Sequence, residues 1–200
     1  MTSEESLTNK LLLLYLLENA ETPMGDTKLH KLAFLSERNM NFQAEKGFNY
    51  NFIKLEWGPF STDLKKDIDE LVNLGLISRV VHSPTDRGRF ILSTFNNILQ
   101  RNSSFLDKIQ KVNRDYAHLE RDELVKIVHD MENPEKPWTT IHNTPKGKYI
   151  LKRLNYALDD KIFQLTEDEI ASLEIYFDQE LFDSLVASLE EAKCKPAVVL

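Results

Sequence analysis

Along residues 6–19, Leu7, Leu11, Leu14 and Leu17 recur at helical spacing. Leu12, Leu13 and Leu16 widen that apolar face until it nearly encircles the element, so the pattern predicts a helix over about Ser6 to Asn19 buried against several neighbours. Pro23 and Gly25 break the chain, and Asp26 is placed to cap a second helix. Leu29, Leu32, Ala33, Ser36 and Met40 share one face of that helix, and Gly47 ends it. The aromatic and branched residues of 50–56 predict a strand closed by Trp57-Gly58-Pro59, since Pro59 has no N–H for a ladder and favours an extended Gly58. Ser61 then caps a third helix with Leu64, Ile68, Leu71 and Val72 inward, and Gly75 ends it at a left-handed position.

Residues 76–82 and 89–93 are two apolar runs separated by Ser83-Pro84-Thr85-Asp86-Arg87-Gly88, a set of turn formers that predicts a β-hairpin. Helix, helix, strand, helix, hairpin is the order of a winged helix, with the hairpin as wing. After about Asn96 the periodicity is helical. Phe105, Ile109, Val112 and Tyr116 form one stripe, and Leu124, Ile127, Val128 and Met131 form another. Asn133-Pro134-Glu135-Lys136-Pro137 is a loop, and residues 138–149 carry no clear period. Thr166 and Glu169 form a capping box. The stripe Ile170, Leu173, Phe177, Leu181, Leu185 and Leu189 follows it, with a break near Asp178. The expected fold class is mostly α with an α+β start: a winged-helix-like domain over residues 1–95 with a small hairpin wing, then a helical domain over residues 96–200.

Two segments resemble a known prokaryotic family. Lys28-Leu29-His30-Lys31-Leu32-Ala33-Phe34-Leu35 is followed by Glu56-Trp57-Gly58-Pro59-Phe60-Ser61 and by a helix ending in Leu71-Val72-Asn73-Leu74-Gly75-Leu76-Ile77. The set is similar to the phage-associated SocA-like (Panacea) antitoxin domains and to their YwgA-like relatives, the latter more closely. The resemblance covers roughly residues 7–95. It implies a winged-helix-like fold and a regulator that acts by binding a protein partner, a toxin in the antitoxin members.

Composition narrows the alternatives. At 42% hydrophobic and 28% charged residues, the chain is of ordinary globular composition. The seven-residue apolar run at 11–17 is far short of the roughly 20 residues that span a bilayer, and Glu4 and Glu5 stand where a signal peptide is basic, so the expectation is a cytoplasmic protein away from membranes. Cys194 is the single cysteine, which excludes an internal disulfide. His30, His82, His118, His129 and His142 show no metal-ligand spacing, and no catalytic or phosphate-loop motif is present, so neither an enzyme nor a cofactor is expected.

Net charge is −7. Between Glu167 and Glu191 there are nine acidic residues and no Lys or Arg, so the C-terminal stripe helices must pack on the chain, on a second copy or on a partner. The candidate partner-binding residues are Trp57, Gly58, Pro59 and Phe60, a rigid aromatic turn, and Trp138 after the proline-rich loop. The competing reading for the rings is burial in the core. DNA binding is the alternative function. The helix after the strand carries Lys65 and Lys66 against Asp63, Asp67, Asp69 and Glu70, a balance that phosphates repel. The candidate nucleic-acid contacts are therefore the wing residues Arg79, His82, Arg87 and Arg89 and the later cluster Lys146, Lys148, Lys152 and Arg153.

Overall fold

The computed structural model describes residues 1–20, 22 and 24–194, with the backbone alone at residues 186 and 189–194. Pro23, expected to break the chain, lies outside the described residues, as do the side chains of Leu189 and Cys194. The chain divides into two compact units, Met1–Gln164 and Leu165–Leu200. The division expected after Phe95 falls inside the first unit.

The first helix, α1 (Ser3–Glu18), begins three residues earlier than its leucine pattern does, because Thr2 and Glu5 form a capping box. Leu11, Leu12, Leu13, Leu14 and Leu16 are all fully buried, so every side of the helix is covered, as its near-encircling apolar face requires. Helix α2 (Asp26–Asn41) is capped by Gly25 without a side-chain bond. Asp26 is instead the first helical residue, and its carboxylate is held by His82 and by Lys65 at 3.3 Å.

Strand β1 (Phe52–Leu55) turns through Glu56 and Trp57 straight into β2 (Gly58–Phe60). Gly58-Pro59 thus does more than stop a strand. It forms the second arm of a tight antiparallel hairpin in which Leu55 faces Gly58. The third strand, β3 (Tyr149–Leu151), begins where the segment without a clear period ends and completes a sheet of order β2-β1-β3. Pro59 sits on an edge strand, where its missing N–H breaks no ladder.

Helix α3 (Thr62–Asn73) is capped by Ser61 Oγ, which accepts from the Leu64 N–H, and Gly75 follows its end at φ +66°. Leu64, Ile68 and Leu71 are buried.

The wing is a correction. Residues 77 and 84 make a single β-bridge, and the expected second strand is helix α4 (Asp86–Thr94). Thr85 Oγ1 accepts from the Gly88 N–H as an N-cap, and Asp86 lies in the positive first turn. Ile91, Leu92, Phe95, Ile98 and Leu99 are buried at helical spacing, running from α4 into α5 (Asn96–Arg101). That longer period outweighs the turn chemistry of residues 83–88.

Helix α6 (Ser103–Val112) runs into a π-helical turn (Asn113–Ala117), and α7 (Arg121–Asp130) follows. Helix α2 packs against α6, α7 and β2, while α1 packs against α3, α4 and α6. The core between them is aromatic. Phe34 meets Phe52 edge-on at 5.4 Å, and Tyr50 lies between Phe48 and Phe52.

The second unit contains α8 (Glu167–Tyr176) and α9 (Gln179–Cys194). Thr166 and Glu169 form the expected capping box, and Asp178 separates the two helices. Leu173 and Phe177 of the stripe are buried, and Leu181 and Leu185 are exposed.

No helix among the described residues is long and apolar enough to cross a membrane.

Candidate partner-binding surface

Two of the segments that carry the family resemblance, residues 28–35 and 56–61, meet in space. Lys31, on the buried face of α2, donates from Nζ to the Pro59 carbonyl at 3.3 Å. His30 Nδ1 accepts from the Ser61 N–H at 3.3 Å, and its ring stacks on Phe60 with centroids 4.7 Å apart. Gly58 has φ +93°, and a Cβ there would stand 3.0 Å from His129 Nε2 and 3.5 Å from Lys31 Cε. Glycine is therefore needed twice, for the backbone angle and for the close approach of α7.

These polar groups are buried with little compensation. Burial, reinforced by Lys31, holds His30 down to about 4, so the ring is neutral at pH 7. Burial, reinforced by Lys54, lowers the Lys31 ammonium to about 8. His129 is also lowered, by burial first and then by Lys54, His142 and Lys31. Gly58 and Pro59 are buried and Phe60 is half-buried, so three of the four residues expected to form a docking turn hold the turn itself together. Trp57 projects from it at 56% exposure, with Arg121 of α7 5.8 Å over its ring.

The loop after α7 presents the second tryptophan. Asn133 is buried and organises it. Its Nδ2 donates to Thr144 Oγ1 at 2.9 Å, its Oδ1 accepts from the Glu135 N–H at 2.9 Å, and its own N–H donates to the Thr139 carbonyl at 2.8 Å. The Trp138 N–H donates to Glu132 Oε1 at 2.8 Å. So held, Trp138 has φ +69° and is 97% exposed. An indole without shelter, on a backbone conformation that L-residues avoid, is an expensive arrangement to maintain.

Two more exposed rings adjoin this loop through polar contacts. Lys152 donates from its backbone to Glu135 Oε1, pairs with Glu135 at 3.4 Å, and lies 5.6 Å over the Tyr149 ring. Asn41 Nδ2 donates to the Lys152 carbonyl, and beside it Phe42 is covered on one face by Arg38 at 4.5 Å. Tyr149 and Phe42 were not singled out by the sequence. On β3 Tyr149 is exposed while Ile150 and Leu151 are both buried, so no alternation in the sequence marks it.

The basic candidates are largely occupied within the chain. Arg79 reaches Asn73 Oδ1 at 3.4 Å, and Arg87 donates to the Leu74 carbonyl at 3.1 Å. Arg89 pairs with Glu18 at 3.1 Å, His82 with Asp26, and Arg153 with Glu5 at 3.1 Å. Among the described residues, Lys146 and Lys148 are exposed and make no ion pair.

His129 and His142, on either side of the proline-rich loop, stand with ring centroids 5.6 Å apart. No group of three or more His, Cys, Asp or Glu among the described residues is placed to hold a metal.

No protein-family model matches the chain, and it has no significant match among curated proteins or solved structures.

Proposed function

We propose that the chain is a non-enzymatic regulatory protein, antitoxin-like in role, that acts by binding a protein partner through exposed aromatic side chains. Trp138 is the principal anchor, and Trp57 on the locked hairpin is a second. The reading takes the first hundred residues as a winged-helix relative without the hairpin wing, in keeping with the SocA-like resemblance of residues 7–95.

The observation that carries the proposal is the presentation of Trp138. A hydrogen-bonded loop holds an almost fully exposed indole at a positive φ. Binding would shelter the ring, and tryptophans in such positions dominate interface energetics. The DNA-binding alternative has less support, because most of its arginines already have partners within the chain and the second strand expected for its wing is helix α4. Self-association through Leu181 and Leu185 of the acidic helix α9 predicts a dimer, which light scattering would register.

The test is photo-crosslinking from a benzoyl-phenylalanine placed at residue 138, followed by affinity measurement with the captured partner. Trp138→Ala should weaken that complex by about 2 kcal/mol, roughly thirty-fold, without lowering stability. Unchanged affinity in Trp138→Ala would overturn the assignment. So would tight, salt-sensitive binding of a labelled random duplex in place of any protein capture.

A further inference from the structure

The second unit carries a helical face that the tryptophans do not account for. Asp178 caps α9, its Oδ1 accepting from the Leu181 N–H at 3.0 Å. The half-buried Phe182 marks the side of α9 turned to α8, where its ring and that of Tyr176 stand with centroids 5.7 Å apart. Leu181, Ser184, Leu185 and Ser188 fall at i, i+3, i+4 and i+7, so they share one face, and all four are exposed. Leu181 is 51% and Leu185 43% exposed. Ser188 Oγ donates to the Ser184 carbonyl at 2.9 Å, so that hydroxyl is satisfied by its own helix and leaves the face more apolar than its composition.

Apolar side chains at this spacing are the means by which one helix receives another, and charge decides which helix fits. Between Glu167 and Glu191 stand nine acidic residues and no Lys or Arg, so neither α8 nor this part of α9 can neutralise the carboxylates beside the face. Glu180 lies four residues before Ser184 and flanks Leu181, and it is exposed, as are Asp178 and Asp183 at the same end of the helix. A second copy of this helix would set acid against acid across the contact. An anionic lipid surface would repel it for the same reason. A cationic helix meets neither obstacle.

We propose that the exposed face of α9 docks a basic amphipathic helix of another protein. Its apolar side chains would cover Leu181 and Leu185, and its Lys or Arg residues would lie against Glu180 and the neighbouring carboxylates. The proposal does not rest on the tryptophan anchors.

The test titrates full-length protein into three labelled peptides of about 18 residues, long enough to form a helix, and follows fluorescence anisotropy at physiological salt. The first is a Leu/Lys peptide patterned as an amphipathic helix, the second has Glu in place of Lys, and the third permutes the Leu/Lys sequence so that the stripe is lost. The patterned Leu/Lys peptide should bind saturably, about tenfold or more tighter than its permutation, and the Leu/Glu peptide should not bind. Leu181→Ser combined with Leu185→Ser, both at exposed positions, should weaken binding about tenfold or more with an unchanged melting temperature. Trp138→Ala should leave the peptide affinity unchanged, so this site and the tryptophan anchor fail separately. The proposal is overturned by no binding of the patterned peptide, by equal binding of the permuted one, or by full affinity in the double leucine variant. It is equally overturned if Trp138→Ala abolishes peptide binding, or if light scattering shows a dimer that the double leucine variant dissolves.

Discussion

The two exposed tryptophans are held out by opposite means. Trp57 stands on a two-residue hairpin whose far side is buried on His30, Lys31 and His129, so its position is fixed by tertiary packing on α2 and α7. Trp138 stands on a loop fixed by its own hydrogen bonds, through Asn133 and Glu132. The first arrangement depends on the core and on the ionisation of buried groups. The second is local, and should survive changes that disturb the first.

Acid should expose this difference most strongly. His30 is held near 4 in the folded chain against an ordinary 6.5, so the unfolded state takes up its proton first and stability is lost as pH falls from 6.5 towards 4. The full span corresponds to about 3 kcal/mol. Buried Asp67, which accepts from the Tyr50 hydroxyl at 2.8 Å, is raised by burial to about 6 and works the other way. Between 3.8 and 6 the folded state holds the Asp67 proton, so stability rises as pH falls through that window. The Asp67 slope opposes that of His30, and fully buried Glu37, also raised by burial, opposes it further. Asp67→Asn should therefore make stability fall more steeply, or rise less, as pH drops from 6 towards 4 in urea unfolding, and an unchanged pH profile in that variant would refute the account.

Gly58→Ala comes next, with an expected cost of about 2–3 kcal/mol, since it combines a positive φ with a Cβ 3.0 Å from His129. Asn133→Ala should cost about 1–2 kcal/mol, by leaving Thr144 and the Glu135 N–H to find other partners. Denaturant midpoints would rank the two, and Asn133→Ala costing more than Gly58→Ala would reverse the contrast between packed and local support. The smallest effect carries the opposite sign. Trp138→Gly should stabilise the free protein by about 0.5–1 kcal/mol, by relieving a non-glycine residue at φ +69°. A loss of stability there would mean that the indole contributes to the fold.

The same contrast explains what the sequence made legible. Gly58-Pro59 marked the end of β1, but Gly58 lies at φ +93° and not in the extended conformation that a following proline favours, while Ser61 and Gly75 marked both ends of α3. Helix α1 was readable from its leucines, and its true start lay in the Thr2–Glu5 capping box, visible in the sequence but outside the apolar period. Residues 83–88 misled because Thr85-Asp86-Arg87-Gly88 serves equally as a turn and as a helix N-terminus, and only the buried spacing through Leu99 decides between them. The meeting of His30, Lys31 and His129 around Gly58 joins residues about a hundred positions apart, which periodicity does not encode. Nor does it encode β3, three residues long and recruited by β1 across the same distance.

That recruitment bears on how the protein emerges from the ribosome. Strand β1 is the central strand of its sheet, and the partner on one side arrives only when residue 151 has been made. Until then one edge of β1 carries unpaired backbone groups, the state in which strands join the wrong chain. A fragment ending near residue 95 would keep that open edge permanently. It should aggregate during synthesis where the chain extended to residue 164 does not.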